Sequence, residues 1–425
     1  MKESFLHFVW QYLHFDVRHL TIASGEALQI IRQGNYQTNA GPDFENCEVR
    51  IGEVRMVGNV EIHLKSSDWE RHQHHHDAHY NNVILHVVWE HDREVSDSKG
   101  HRLPVLILKD RVDDSVIANY DRLLQSKNDI LCADSLLTLS PLKKIEWLDK
   151  AMVSRMKQKA DRELDRFRKN AEDWEETAYQ LLLHNCGFKV NSEAFLSLAE
   201  HLPFKIVKKH IDQPMQLEAL FYGQAGLLQD KEEIYAQKLL EEHRFLAHKY
   251  SLPQVDKHQL GWKFLRSRPA NFPTVRIAQV VATLQHMPNL FACLIADIGI
   301  EERYRQFRIK VSDYWQHHYD FGSPYRSRNV VRMGKDSVDR LLINTVVPLL
   351  AAYAQHTGQQ QFMDRATHLL EQLKAENNFI TRKWEAAGIE AVSAYDSQAL
   401  IMQYNTACSL RHCLKCTVGV QLVRG

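Results

Sequence analysis

The sequence lacks the motifs and biases that identify several large protein classes. It has no Walker loop, no GxGxxG element and no GxSxG element, which argues against nucleotide-driven motors, dinucleotide enzymes and α/β-hydrolases. Basic and acidic residues number 53 each, so no bulk basic field indicates a nucleic-acid binder, although a local patch stays open. Seven cysteines, an odd and mostly scattered set, do not fit a disulfide framework.

Signals for membrane insertion or export are also missing from the sequence. No apolar run approaches the ~20 residues needed to span a bilayer. The start of the chain carries an early acid, Glu3, and has no small-residue cleavage site of a signal peptide. We therefore expect a cytoplasmic protein with no membrane partner, and the oligomeric state stays open.

The sequence has two regions with different hydrophobic patterns, and together they predict an α+β fold. Residues 5–15 repeat apolar side chains at helical spacing. The region 26–109 reads as β, and the strands predicted there are 27–32, 46–51, 54–65, 83–90 and 104–109. The run 83–89 is almost wholly apolar, so it predicts a central strand buried on both faces.

From about residue 140 the pattern becomes helical. The helices predicted there are 141–170, 173–186, 191–201, 214–227, 231–248, 276–286, 300–316, 336–355 and 361–375. The division predicted is a mixed α/β domain over residues 1–120, followed by a larger all-α domain over 121–425 with a cysteine-bearing end.

Two acidic positions carry the main chemical prediction. Asp43 follows Gly41-Pro42 at the start of a predicted strand, and Glu61 lies on the next strand. Because side chains at i, i+2 and i+4 of a strand share a face, Glu61, His63 and Lys65 line up. If the strands are neighbours, Asp43 and Glu61 can hold Mg²⁺ or Mn²⁺. In the competing interpretation, Asp43 caps a turn, and Glu61 and Lys65 form a surface pair.

This pattern resembles the PD-(D/E)XK nuclease superfamily, read as Pro42-Asp43 and Glu61-Ile62-His63 with Lys65 displaced. The resemblance implies a nuclease-like N-terminal fold with the element order α-β-β-β-α-β. It also implies that His63 or Lys65 would position water or stabilise developing charge.

A histidine-rich segment at 72–79 follows the Glu61 strand, and neutral imidazoles are good ligands for zinc, manganese or iron. The functional interpretation takes His72, His74, Asp77 and Tyr80 as outer groups or ligands of a second metal beside Glu61. The alternative is a solvated loop that binds metal only adventitiously. His86, inside a predicted buried strand, is expected to be a satisfied core histidine.

Clustered thiols near the C-terminus predict a second metal centre. Cys408, Cys413 and Cys416 could bind zinc or an iron–sulfur cluster, with His412 or a remote residue such as Cys186 as fourth ligand. Free thiols are the alternative.

Arg268 and Arg276 flank a proline-containing loop that enters a predicted helix. They are candidates for binding phosphate at the helix N-terminus, or for anchoring the loop.

Several stretches together resemble an uncharacterised bacterial domain-of-unknown-function family over nearly the whole chain. They include Gly41–Phe44, Val57–Trp69, Gly187–Asn191 and Gly223–Leu228. This resemblance implies no particular activity. The function expected from the motif is metal-dependent phosphodiester hydrolysis, with nucleic acid as partner. The alternatives are a non-catalytic nucleic-acid or protein interaction scaffold with a nuclease-like fold, and a histidine-ligated phosphohydrolase acting on small molecules.

Overall fold

The computed structural model describes residues 1–37, 41–255, 257–264, 269–326 and 331–425. It has an N-terminal mixed sheet followed by a mostly helical region, so the predicted α+β class is confirmed.

The N-terminal sheet contains six strands. They are Leu28–Arg32 (β1), Asn35–Tyr36 (β2), Phe44–Ile51 (β3), Val54–Lys65 (β4), Val83–Glu90 (β5) and Val105–Ile107 (β6). The strand order is β1-β3-β4-β5-β6, with β2 paired to β3. Strands β1, β3 and β4 run antiparallel, whereas β4, β5 and β6 are parallel. β5 is therefore central, and its first six residues are buried, as its apolar run predicts.

The helices are Glu3–Gln11 (α1), Asp68–Arg71 (α2), Asp114–Gln125 (α3), Ala133–Leu136 (α4), Pro141–Lys169 (α5), Trp174–Cys186 (α6), Phe188–His201 (α7), Phe204–Val207 (α8), Pro214–Gln224 (α9), Ile234–Tyr250 (α10), Lys257–Leu260 (α11), Pro273–His286 (α12), Leu290–Ile295 (α13), Ile300–Phe307 (α14), Asp313–His317 (α15), Lys335–Leu341 (α16), Val347–Thr357 (α17), Gln360–Gln372 (α18), Phe379–Ala386 (α19), Ala394–Gln403 (α20) and Thr417–Arg424 (α21). Two π-helical turns, Leu342–Val346 and Tyr404–Cys408, continue α16 and α20. A small hairpin pairs His318–Asp320 (β7) with Ser323–Pro324 (β8).

The contacts of the chain define two compact units. The first unit comprises residues 1–147, 382–390 and 403–425, and the second comprises residues 148–381 and 391–402. The predicted domain boundary at residue 120 says which parts of the chain fold independently, and it stays a prediction. The observed units group the chain differently because α3 and the chain end at α21 pack on each other within the first unit.

The core of the first unit forms where α1 covers one face of the sheet. Phe5, Leu6 and Trp10 are buried on α1, and they belong to the same apolar cluster as Val60 and Ile62 of β4. The alternation along β4 therefore works as predicted: its apolar set faces this core. Glu61 and His63, the intervening residues, are directed to the other face, where they are also buried.

Some helix predictions differ from the structure. The pattern over 300–316 predicts one helix, because Phe307, Val311 and Trp315 recur at helical spacing. The single helix is wrong, since the chain leaves helical geometry between α14 and α15 while Val311 still reaches the core. Tertiary packing has overridden the local pattern there.

The continuous helix Lys335–Thr357 is long and apolar enough to pass a length-and-composition test for a membrane span. About 72% of its apolar window is buried, which accounts for its composition as that of a core helix.

Candidate functional site

The two predicted carboxylates meet where β3 starts beside β4. Phe44 pairs with Val60, which brings Asp43 next to Glu61. The Asp43 backbone N–H donates to Glu61 Oε2 at 3.0 Å, and the Ile62 backbone N–H donates to Asp43 Oδ2 at 3.0 Å. Each carboxylate thus holds the backbone that carries the other. Glu61 is only 5% exposed, so it does not form a surface pair with Lys65.

Burial gives Glu61 unusual electrostatics. Burial first, and the negative charge of Asp43 second, raise the pKa of the Glu61 carboxyl to about 9. Two acids this close inside a protein repel each other when both are ionised. A bound cation would relieve that repulsion, which is the behaviour expected of a metal site.

His7 completes this side of the site, and the sequence interpretation missed it. It lies on α1 with its Nε2 atom 3.2 Å from Asp43 Oδ2, while its Nδ1 atom lies 3.3 Å from the Tyr36 hydroxyl. Within the described part of the chain, the buried Nε2 atom has no hydrogen-bond partner, although Asp43 Oδ2 is its charged neighbour. The available signal was a lone histidine inside the apolar run Phe5 to Trp10.

His63 lies at the centre of a row of three imidazoles. Its Nδ1 atom is 2.8 Å from His86 Nε2, and its Nε2 atom is 3.1 Å from His72 Nδ1. Burial first, and the neighbouring imidazoles second, lower the pKa of His63 to about 2; burial likewise lowers the pKa of His86 to about 3. Both rings are therefore neutral at pH 7, the form in which imidazole binds metals.

His86 is not the fully satisfied core histidine expected from the sequence. Its Nδ1 atom is buried and has no hydrogen-bond partner among the described residues. If His86 Nε2 accepts the proton of His63 Nδ1, the other nitrogen of His63 is left with a free lone pair toward His72. An outer partner of this kind fixes the orientation of a ligating histidine.

His74 approaches Glu61 from the turn that follows α2. Its Nε2 atom lies 3.4 Å from Glu61 Oε1, and its ring stacks on Tyr80 with centroids 3.8 Å apart. Trp69 packs its edge against the same ring at 5.3 Å. Like His7 Nε2 and His86 Nδ1, His74 Nε2 is a buried imidazole nitrogen that lacks a hydrogen bond in the region described.

A left-handed residue brings His72 and His74 to the same side. Gln73, between them, has φ 60° and ψ 25°, a conformation that is uncommon for residues other than glycine. Strained backbone of this kind persists where surrounding contacts hold it, and it is often found at functional sites. Here the contacts are those of the His74 ring.

The spacing of these groups fits ligands around one ion. His63, His72 and His74 offer nitrogens that all lie within 4.8 Å of one another. His63 Nε2 is 3.5 Å from Glu61 Oε1, close to the separations of 3.1 and 3.4 Å given above. Donors bound to zinc at about 2.0–2.1 Å in a tetrahedron lie about 3.4 Å apart. The three imidazoles, with Glu61 near two of them, therefore have spacings close to those of ligands around one ion.

Two predicted site residues lie apart from this cluster. Lys65 is exposed at the end of β4, where only its backbone N–H is engaged, donating to Asp68 Oδ2 at 3.1 Å. Asp77 is exposed, and its carboxylate accepts the backbone N–H of His79 at 2.9 Å. The structure thus brings together Asp43, Glu61, His63, His72, His74 and Tyr80, but not Lys65 or Asp77.

The predicted phosphate-binding arginines belong to the second unit or lie outside the description. Arg276 is buried on α12, stacks on the Phe188 ring at 4.4 Å and donates to Asn271 and Gln279. These contacts anchor the side chain within the helical core. Arg268 lies outside the described residues.

Of the predicted thiol ligands, Cys408, Cys413 and Cys416 lie in the first unit, whereas Cys186 is buried in the helical core of the second. His412 is exposed.

Fold and site together define an α+β protein with a cluster of carboxylates and imidazoles on a mixed sheet. The chain belongs to the family described as protein of unknown function (DUF2851), whose family model matches residues 3–379. Membership of such a family, predicted from the sequence, is thereby confirmed. Neither the curated proteins nor the solved structures contain a match to the chain.

Proposed function

We propose that this chain is a metal-dependent phosphodiester hydrolase. The observation that carries the proposal is the pairing of two clamped carboxylates with two unsatisfied, buried imidazole nitrogens. His7 Nε2 faces Asp43 at 3.2 Å, and His74 Nε2 faces Glu61 at 3.4 Å. Buried polar atoms are almost always hydrogen-bonded, so two such atoms aimed at acids indicate a ligand between them.

The phosphodiester class rests on an analogy of pattern and topology. An acid before one strand and a Glu-x-His on the next resemble the PD-(D/E)XK arrangement. The elements α1, β1, β3, β4, α2 and β5 follow the expected order α-β-β-β-α-β, with β2 as an addition. Fold analogy by itself does not give function, so the chemistry of the site has to carry the test.

Each side chain has a role that follows from its position. Asp43, Glu61 and His7 would hold a divalent cation such as Mg²⁺ or Mn²⁺, which polarises a phosphoryl oxygen and lowers the pKa of bound water. His63 occupies the position where the superfamily pattern has lysine. Since its pKa is held low, it would stay neutral and accept a hydrogen bond that orients water, rather than carry a proton or donate charge.

A second candidate function is favoured by the spacing of the three histidines. A centre made by His63, His72, His74 and Glu61 would prefer zinc or manganese over magnesium, because imidazole is a softer ligand than carboxylate. Such a centre suits a hydrolase of small phosphate esters.

The test compares hydrolysis of several substrates by the purified full chain. The substrates are linear, circular and single-stranded DNA, RNA, bis(p-nitrophenyl) phosphate and p-nitrophenyl phosphate, each with Mg²⁺, Mn²⁺ or Zn²⁺. Glu61→Gln keeps an acceptor for the Asp43 N–H but removes the charge. We expect it to lower metal-dependent hydrolysis by about 100-fold or more, as loss of a metal-site group does. Glu53→Gln, in the exposed turn of the same hairpin, is the matched control and should retain activity.

The results separate the alternatives. Cleavage of nucleic acid that Glu61→Gln abolishes and Glu53→Gln retains would support the proposal. Hydrolysis confined to the small esters, and dependent on His74, would favour the second candidate. If no substrate is cleaved, or both variants cleave equally, the hydrolase proposal is wrong and an interaction scaffold becomes the better account.

A further inference from the structure

Four of the five cysteines in the first unit, all but Cys47, form a set although Cys132 is far in sequence from the other three. Cys132 directly precedes α4, and Cys408 ends the π-helical turn that follows α20. Cys413 and Cys416 lie at either end of one 3₁₀ turn, in which the Cys416 backbone N–H donates to the Cys413 carbonyl at 3.1 Å. A C-x-x-C turn of this kind presents two thiols to one side, as metal-binding sites require.

All four thiols are within electrostatic reach of one another. The pKa of Cys408 is raised by burial and then by Cys132, Cys416 and Cys413. Burial raises the pKa of Cys132 to about 12, with Cys416 and Cys413 as further causes. The pKa of Cys413 is raised to about 11 by burial and then by Cys416. Each of the four thiols is thus an electrostatic neighbour of the other three.

The surroundings hold this cluster in place. The Gln403 side-chain amide donates to Cys416 Sγ at 3.1 Å. Gly419 on α21 packs so closely on the cysteine turn that a Cβ atom there would lie 2.1 Å from the Cys413 carbonyl oxygen. Cys132 and Cys413 both pack against the apolar core of the first unit. The backbone carrying the thiols is thus anchored independently of any bound group.

The separation of the thiols favours an iron–sulfur cluster over a single zinc ion. Across the described residues, three ligand atoms within 4.8 Å of one another occur at the histidines and not at these cysteines. One zinc ion with Zn–S bonds of about 2.3 Å would draw its sulfurs to about 3.8 Å apart. In an iron–sulfur cluster each thiolate binds a different iron or shares an iron with one other, so the sulfurs of the set spread more widely.

We propose that Cys132, Cys408, Cys413 and Cys416 ligate an iron–sulfur cluster in the first unit. The cluster would connect the segment at α4 with the chain end, which are separated by most of the sequence. This site is independent of the proposed hydrolase: it uses none of the same side chains, and its test measures composition and spectrum rather than cleavage.

The experiment is anaerobic purification of the full chain from iron-supplemented cells. Iron, acid-labile sulfide and zinc are then measured, and visible absorption and electron paramagnetic resonance spectra are recorded before and after dithionite reduction. Cys132→Ser removes the predicted remote ligand. Cys293→Ser, a partly exposed cysteine of the second unit, is the control. We expect about four irons and four sulfides per chain for a [4Fe–4S] cluster, lost in Cys132→Ser and retained in Cys293→Ser.

Wild-type protein without iron and sulfide, or with zinc instead, would overturn the proposal, and so would a Cys132→Ser protein with an unchanged spectrum. If Cys132→Ser does not fold, the wild-type composition still decides.

Discussion

Replacing Trp69 would test whether the histidine site is held together by one aromatic side chain. Trp69 is fully buried on α2, directly after β4. Its indole N–H donates to the Ser96 carbonyl at 3.0 Å, and its ring contacts His74, Tyr80 and His86 with centroids 5.3 to 5.9 Å away. It therefore links the sheet to the turn that carries the imidazoles.

The expected loss can be derived from these contacts. Trp69→Ala removes a fully buried ring and leaves a cavity, which costs about 3–5 kcal/mol in other proteins. Trp69→Phe keeps most of the packing but leaves the Ser96 carbonyl without its donor, a loss of about 1–3 kcal/mol. The order of the two variants is thus fixed: alanine is worse than phenylalanine. Weaker manganese binding should follow the same order, because His74 loses its support.

The assay has to be local, since the chain contains two compact units and a single unfolding midpoint would mix them. Hydrogen exchange measured by mass spectrometry on the peptide 83–90 reports the opening free energy of β5. The peptide 214–224, from the second unit, is the internal control. If Trp69→Ala lowers the opening free energy of β5 by less than about 1 kcal/mol, well below the cavity range, the reasoning is refuted. An equal loss in the control peptide would show that the effect is not local.

Two further predictions concern packing and pH. Gly58→Ala should cost about 1–3 kcal/mol, as overpacking does, because a Cβ atom would lie 2.6 Å from the Asn82 carbonyl oxygen. Hydrogen exchange of the β5 peptide 83–90 checks this beside Gly299→Ala, whose Cβ atom meets no other atom within 4 Å and which should leave that peptide unchanged. The second concerns Glu218, buried and bonded to the Tyr235 hydroxyl at 2.6 Å, where burial raises the pKa of the carboxyl above its usual value near 4.5. Stability from this group is fully present below the unfolded pKa and is lost as pH rises through the folded pKa. The opening free energy of the peptide 214–224, measured by hydrogen exchange from pH 4.5 upward, should decline less in Glu218→Gln than in the wild type, and parallel curves would contradict the prediction.

Part of the site could be predicted because it depends on local periodicity. The alternation of β4 places Glu61 and His63 on one face, and strand pairing brings Asp43 beside them. The same alternation places Lys65 on that face. It does not predict which positions along the face are covered by other residues and which are exposed. Lys65 is exposed.

Other members of these clusters could not be predicted, because tertiary packing alone brings them together. His7 reaches Asp43 only through the docking of α1 on the sheet. Cys132 joins the late cysteines although no spacing rule connects it to them. A lone histidine in an apolar helix, or a lone cysteine before a short one, carries no signal about its distant partner.

The first unit is built from three separate segments of the chain, and this has a consequence for how the protein folds during synthesis. Its last segment, residues 403–425, follows the whole second unit in sequence. At about 5–20 residues per second, roughly 15–50 s pass between translation of residue 147 and translation of residue 403. The sheet with its acidic pair must wait for that time without the segment that completes its unit. The second unit needs only the short segment 391–402 beyond residue 381, so its chain is complete before that of the unit that carries the acidic pair.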